Sequence, residues 1–260
     1  MLTVPLYVGL AKSGLIRSPF FPRVDGDLAL AKSDRPGVRV LFVGNSFTYY
    51  HSMPELVQEL AEHDGGAPPV FAISYTAPNW SLREASESDG LHHLLEEVQW
   101  DFVVLQDVSW LPAASPEVRH REMDPFVYSL RRDIVSTGAR PVLFMTWGYE
   151  DGESSADSYE YMQERLAAGY SDLGNRLSVP VAPVGLAWAD ALRRDPGLDL
   201  WSYDGHHPGP RGSYLAACVF YAQLTGRNPL GSDFIADLEP SEARFLQSVA
   251  ADVVAARAVK

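Results

Sequence analysis

The chain has 260 residues, 46% of them hydrophobic and 21% charged, the balance of an ordinary globular protein and not of a disordered or fibrous one. Acidic residues outnumber basic ones 34 to 21, a net charge of −13 that repels phosphate backbones and anionic bilayers. That charge argues against a nucleic-acid or membrane-surface role and is neutral about an uncharged substrate.

The single cysteine, Cys218, sits in the apolar run AACVFYAQL and reads as a small buried hydrophobe, with no internal disulfide possible. The histidines stand at 51, 63, 92, 93, 120, 206 and 207, and none forms an HExxH frame or a zinc-type cluster. Neither a metal nor another cofactor is therefore expected. The opening stretch MLTVPLYVGLAKSGLIRSPFFPRV is interrupted by Pro5 and has no basic residue ahead of its apolar part, a poor match to a signal peptide. No run reaches membrane-span length. A soluble, cytoplasmic protein is the expectation.

Residues 1–36, broken by Pro5, Pro19, Pro22 and Pro36, read as an irregular N-terminal arm, and residues 37–260 as one domain. From Val38 strands and helices alternate. VRVLFV (38–43) is a strand, followed by a helix over 54–63; VFAIS (70–74) is a second, followed by a helix near 90–98. DFVVLQ (101–106) is an uninterrupted apolar strand of the kind buried on both faces. A long helix over about 119–136 leads to PVLFMTW (141–147), and a helix over about 158–177 leads to VPVAPV (179–184). Helices near 186–194, after Pro210 and over 240–256 complete the chain, and the acidic stretch Glu150–Glu153 reads as a solvated loop. Such alternation predicts an α/β fold with a five-stranded parallel sheet covered on both faces. The chemistry of such folds gathers beyond the carboxyl ends of the strands, and polar residues do collect there: Gly44-Asn45-Ser46, Gln106-Asp107 and Trp147-Gly148-Tyr149.

Ser46, just past the first strand in GNSFTYY, stands where a sharp turn exposes a hydroxyl, but serine at a strand end also shapes turns and caps helices. As a nucleophile it needs a base. Asp204 and His207 in DGHHPG are spaced so that the carboxylate can accept from the imidazole, fix its tautomer and stabilise its charged form. His206 competes with His207 for that role, and an Asp cap beside a surface histidine is the alternative.

These blocks resemble the SGNH (GDSL-type) hydrolase superfamily. LFVGNSFTYY is similar to its first block and DGHHPGPRGSYLAA to its last, where DxxH is followed by Pro, Gly and a helix; the resemblance spans about residues 38–226. It implies a three-layer α/β/α sandwich of flavodoxin-like type, with Ser46 as nucleophile, His207 as base and Asp204 as its partner. It also implies an oxyanion hole of Ser46 N–H, Asn79 N–H and Gln106 Nε2. Asn79, in TAPNWSL, stands where the family carries glycine, and Gln106, in VVLQDVS, where it carries asparagine. The alternative for Gln106 is an amide that bonds only backbone. Asn45 replaces the more usual Asp, which with the LQ of the third block marks a divergent bacterial subgroup. No GxSxG elbow surrounds Ser46, against the α/β-hydrolase fold.

Tyr49, Tyr50, Trp80, Trp110, Trp147 and Tyr149 fall in the predicted strand-to-helix loops. Of these, Trp80, Trp110, Trp147 and Tyr149 are the candidate substrate contacts. The resemblance implies a serine esterase acting on a small-molecule or carbohydrate ester, such as an O-acetyl or short-chain acyl ester, through an acyl-serine. An acyltransferase on the same triad and a non-catalytic binding protein of the same fold are the rival readings.

Overall fold

A computed structural model describes residues 22–154 and 156–258. Arg23–Asp25 forms strand β1 and Leu28–Ala31 a single helical turn, α1. Strand β2 (Val38–Gly44) runs into the one-turn helix α2 (Ser46–Tyr49) and then α3 (Met53–Glu62). Strand β3 (Val70–Thr76) is followed by α4 (Leu82–Ser86) and α5 (Asp89–Glu97). After β4 (Phe102–Leu105) come α6 (Pro116–Glu122) and α7 (Asp124–Ser136). Strand β5 (Arg140–Phe144), helix α8 (Tyr159–Leu177), strand β6 (Val181–Ala182) and helix α9 (Val184–Arg194) follow. Helices α10 (Pro210–Thr225) and α11 (Pro240–Ala258) close the described chain.

The sheet order is β1-β3-β2-β4-β5-β6, parallel throughout except for β1, which pairs antiparallel with β3. Successive strand side chains point to opposite faces, and here that alternation builds two cores. Val40, Phe42, Val104, Val142 and Phe144 face α3, α9, α10 and α11. Leu41, Val43, Val103, Leu105 and Leu143 face α4, α5, α7 and α8. These strand residues are at most 1% exposed, which is why their sequence shows no polar interruption. Burying each such side chain contributes about 1.5–3 kcal/mol. The result is the three-layer α/β/α sandwich.

Among the described residues the sheet has six strands where five were expected, because residues 23–25 of the supposed arm add an edge strand. Three residues are too few to show a periodic pattern. Its pairing (Arg23 with Thr76, Val24 with Tyr75, Asp25 with Ser74) extends along the C-terminal half of β3. The Arg39 guanidinium ties the next stretch down by donating to the carbonyls of Ala31 (2.7 Å), Arg35 (2.9 Å) and Ser33. Residues 1–21 lie outside the described residues.

Three other boundaries move. The long helix expected over 119–136 breaks at Met123 (φ −120°, ψ −56°), because Pro125 has no N–H to give and its ring clashes with an uninterrupted turn before it. The fourth strand stops at Phe144. The fifth shrinks to Val181–Ala182 because Val184 already opens α9. Cys218 is buried in α10. Among the described residues no helix is long and apolar enough to cross a membrane.

Candidate active site

Strand β2 delivers the serine. A Cβ on Gly44 would lie 2.4 Å from Gln106 Oε1 and 2.6 Å from Thr48 Oγ1, so only glycine lets the strand end approach these groups. Asn45 then caps α2: its Oδ1 accepts from Phe47 N–H at 3.2 Å. Its Nδ2 donates to Trp80 O (3.0 Å) and Asp107 O (3.4 Å), tying together the ends of β2, β3 and β4. Ser46 follows as the first residue of the helix.

The DGHH turn brings its partners to it. Asp204 Oδ1 accepts from the backbone N–H groups of His206 and His207, both at 3.0 Å, which folds the turn around the carboxylate. Oδ2 lies 2.5 Å from His207 Nδ1, and His207 Nε2 lies 2.8 Å from Ser46 Oγ. An ionised carboxylate only accepts, so Nδ1 carries the proton and Nε2 of the neutral ring is left to accept from the serine hydroxyl. Partial burial opposes the Asp204 charge, but the His207 bond and the two backbone N–H bonds outweigh it and hold the carboxyl down at about 2. His206 lines the same cleft but it is His207 that bonds the serine; the His206 ring packs 4.1 Å from that of Tyr149, and its carbonyl accepts from Trp147 Nε1 at 3.1 Å.

Ser46 and His207 open on a cleft of about 750 Å³. Asn79, Trp110 and Tyr149 line it, together with Arg83 and Glu84 of α4 and Arg121 and Glu122 of α6. Trp110 is 44% exposed, and the Tyr149 hydroxyl is 2.6 Å from Ser109 Oγ. Two expected substrate contacts are corrected. Trp147 is fully buried, stacked between Phe47 (4.9 Å, 20°) and Trp188 (4.2 Å, 3°). Trp80 is 8% exposed and packs edge-on against Tyr75 at 5.3 Å. Both rings hold the loops from beneath instead of facing the cleft. Tyr50 stacks on His207, with Tyr49 beside it, and neither lines the cleft. A second cleft of about 720 Å³ lies between α8, α10 and α11, and its lining has no acid or histidine.

The expected oxyanion donors divide. Asn79 is exposed on the cleft with φ +56°, in a turn closed by Trp80 N–H to Ala77 O at 3.3 Å. Proline at the second position and a positive φ at the third follow the type II pattern, which explains why asparagine can replace glycine there. Gln106 is different and the expectation fails: the side chain is wholly buried, its Oε1 accepts from Asn45 N–H (2.8 Å) and Thr48 Oγ1 (2.9 Å), and its Nε2 donates to Asp107 O. Both ends of the amide are engaged under the serine turn, and the side chain is wholly buried and does not line the cleft.

Sequence reading gave no role to two groups. The cleft-lining arginines and glutamates come from helices α4 and α6, which no local pattern links to Ser46. Asp107 is fully buried; its Oδ1 accepts from Leu82 N–H (3.1 Å) and Val108 N–H (2.8 Å), while Oδ2 has no partner. Burial pushes its carboxyl up to about 7 against the pull of those two bonds. Among the described residues no group of three or more His, Cys, Asp or Glu is placed to hold a metal ion.

Two measurements check these assignments. Gln106→Leu strands the Asn45 N–H and is expected to cost about 1–3 kcal/mol in urea denaturation; a roughly 100-fold loss of turnover at unchanged stability would instead make Gln106 an oxyanion donor. For Asp107, a folded-state value near 7 against an ordinary 3.8 means that the folded chain keeps a proton the unfolded chain releases. Its stabilising effect is full below the ordinary value and fades as pH rises toward the folded one. Asp107→Asn should therefore gain stability over the parent progressively from about pH 4 to pH 7. A difference that stays constant with pH would contradict the assignment.

No protein-family model matches the chain. Subunit PurL of the phosphoribosylformylglycinamidine synthase of Methanobrevibacter smithii is 35% identical over 72 residues, which is 26% of this chain and 10% of that protein, a local likeness only. Among solved structures, a DUF4886 family protein from Bacteroides uniformis is similar over 84% of this chain and 95% of its own (TM-score 0.71, 20% identity). A candidate SGNH hydrolase from Slackia heliotrinireducens is similar over 71% and 97% (TM-score 0.59, 28% identity). An acetyl-xylooligosaccharide esterase from Geobacillus is similar over 73% and 96% (TM-score 0.52, 13% identity). The sandwich topology and the serine block after β2 agree with these likenesses, and the fold is that of the SGNH (GDSL-type) hydrolases.

Proposed function

We propose that the protein is a serine esterase that works through an acyl-serine intermediate. The observation that carries this reading is the continuous chain Asp204–His207–Ser46, joined at 2.5 Å and 2.8 Å and opening on the cleft. In the proposed cycle His207 Nε2 takes the Ser46 proton as Oγ attacks the ester carbonyl, and Asp204 stabilises the imidazolium. The backbone N–H groups of Ser46 and Asn79 are the proposed oxyanion donors, without Gln106. Collapse of the tetrahedral intermediate expels the alcohol, which takes the proton from His207. Water, activated by the same ring, then attacks the acyl-serine and releases the acid.

The cleft's character favours a small acyl group on a polar alcohol, with a carbohydrate O-acetyl ester as the leading class. Trp110 is part-exposed in the cleft, and Arg83, Glu84, Arg121 and Glu122 line the same cleft with donors and acceptors. Rings flanked by such groups suit a hydroxyl-rich substrate better than a long acyl chain. The Arg121 and Glu122 side chains meet at 2.6 Å and Arg83 lies 3.6 Å from Glu122, so this wall is charge-balanced and suits a neutral substrate.

Ser46→Ala should reduce hydrolysis of p-nitrophenyl acetate by about 1,000-fold or more while leaving the unfolding transition unchanged. Undiminished turnover would remove Ser46 from the chemistry.

A further inference from the structure

We propose that Tyr50 is a positioning residue for the base: its ring forms a fixed platform under the His207 imidazole and favours the ring's charged form during turnover. The inference rests on the esterase reading and adds a residue to that site. The two rings are parallel within 8°, with centroids 4.3 Å apart. Phe47 approaches the same imidazole at 5.6 Å and 48°. Both aromatic residues belong to the short segment that begins at Ser46, so one piece of chain holds the nucleophile and flanks the base.

The backbone after Tyr50 is bent into an uncommon shape to achieve this. His51 (φ 51°, ψ 30°) and Ser52 (φ 51°, ψ 41°) are consecutive non-glycine residues in the left-handed region. Such conformations persist only where surrounding contacts over-determine them, and they concentrate at functional sites. The contacts here run to the histidine loop and the helix after it. His51 Nε2 lies 3.1 Å from Pro208 O, next to His207, and Ser213 Oγ donates to Tyr50 O at 3.4 Å. The turn is thereby fastened to the segment that carries the base.

A parallel aromatic face restricts imidazole rotation without using either ring nitrogen, leaving Nδ1 to Asp204 and Nε2 to Ser46. The π face also attracts a cation lying over it. That attraction is greater for imidazolium than for imidazole, so it grows as the serine proton moves to the ring. It stabilises the transition state more than the bound substrate, and its loss should appear in kcat and not in KM.

The test is steady-state hydrolysis of p-nitrophenyl acetate by the parent chain, Tyr50→Leu and Tyr50→Phe, with thermal unfolding of each. Tyr50→Leu is expected to lower kcat by about 3- to 30-fold, with KM within about twofold of the parent. Tyr50→Phe, which keeps the ring, should recover most of that loss. If Tyr50→Leu does not fold, Tyr50→Met removes the ring at similar volume and is read by the same criteria. Equal kcat in the parent and Tyr50→Leu, equal impairment of Tyr50→Leu and Tyr50→Phe, or a loss confined to KM would each overturn the proposal. A parent chain that does not hydrolyse the ester, or whose turnover is undiminished in Ser46→Ala, would overturn the esterase reading itself.

Discussion

The buried hydrogen bonding of Asn45 is the constraint on which the rest of the site depends. Its N–H is held by Gln106, its side-chain oxygen caps α2, and its side-chain amide reaches carbonyls from the loops after β3 and β4. A parallel sheet delivers its strand ends to one edge but does not fix the loops that leave them. Here one 3%-exposed side chain joins three of those loops. Ser46 is the next residue and inherits that position. Polar networks of this kind are effective when every member is satisfied and costly when one is not, which is why Gln106 belongs to the same arrangement as its buried acceptor.

The second half of the site is built on the same economy of local bonds. Asp204 organises its own turn through two backbone N–H groups before it touches His207. The turn is then fastened to the serine side by Trp147 donating to His206 O, by the Tyr50 stack and by the His51 contact with Pro208. Trp147 sits within the Phe47–Trp147–Trp188 stack, so the hydrophobic core reaches directly under the polar relay. Core packing and site geometry are thus one problem in this fold.

Much of this architecture was readable from the residues, and the failures have physical causes. The central strands announce themselves because burial on both faces leaves runs such as FVVL with no polar interruption. Strand β1, with three residues, is too short to carry a pattern and exists because β3 offers its edge, whereas β6 was read in VPVAPV but spans only two of those residues. Ser46, Asp204 and His207 were visible because a strand end and a DxxH turn are local signals. Gln106 was misread because the same amide can face the cleft or the interior, and the choice is made by Asn45 and Thr48, which satisfy its oxygen from within. Trp147 and Trp80 were misread for a related reason: position in a strand-to-helix loop does not tell whether a ring points to solvent or to core. The arginines and glutamates of the cleft wall had no sequence signal, since helices α4 and α6 meet the serine only after folding.

The central claim is that Ser46 is activated by His207. It is tested most directly by reaction with a fluorophosphonate, which captures only an activated serine, followed by peptide mass spectrometry to locate the adduct. The account predicts a single adduct at Ser46 that forms in the parent chain and is lost in His207→Ala. Absence of an adduct, an adduct at another serine, or undiminished labelling of Ser46 in His207→Ala would contradict it.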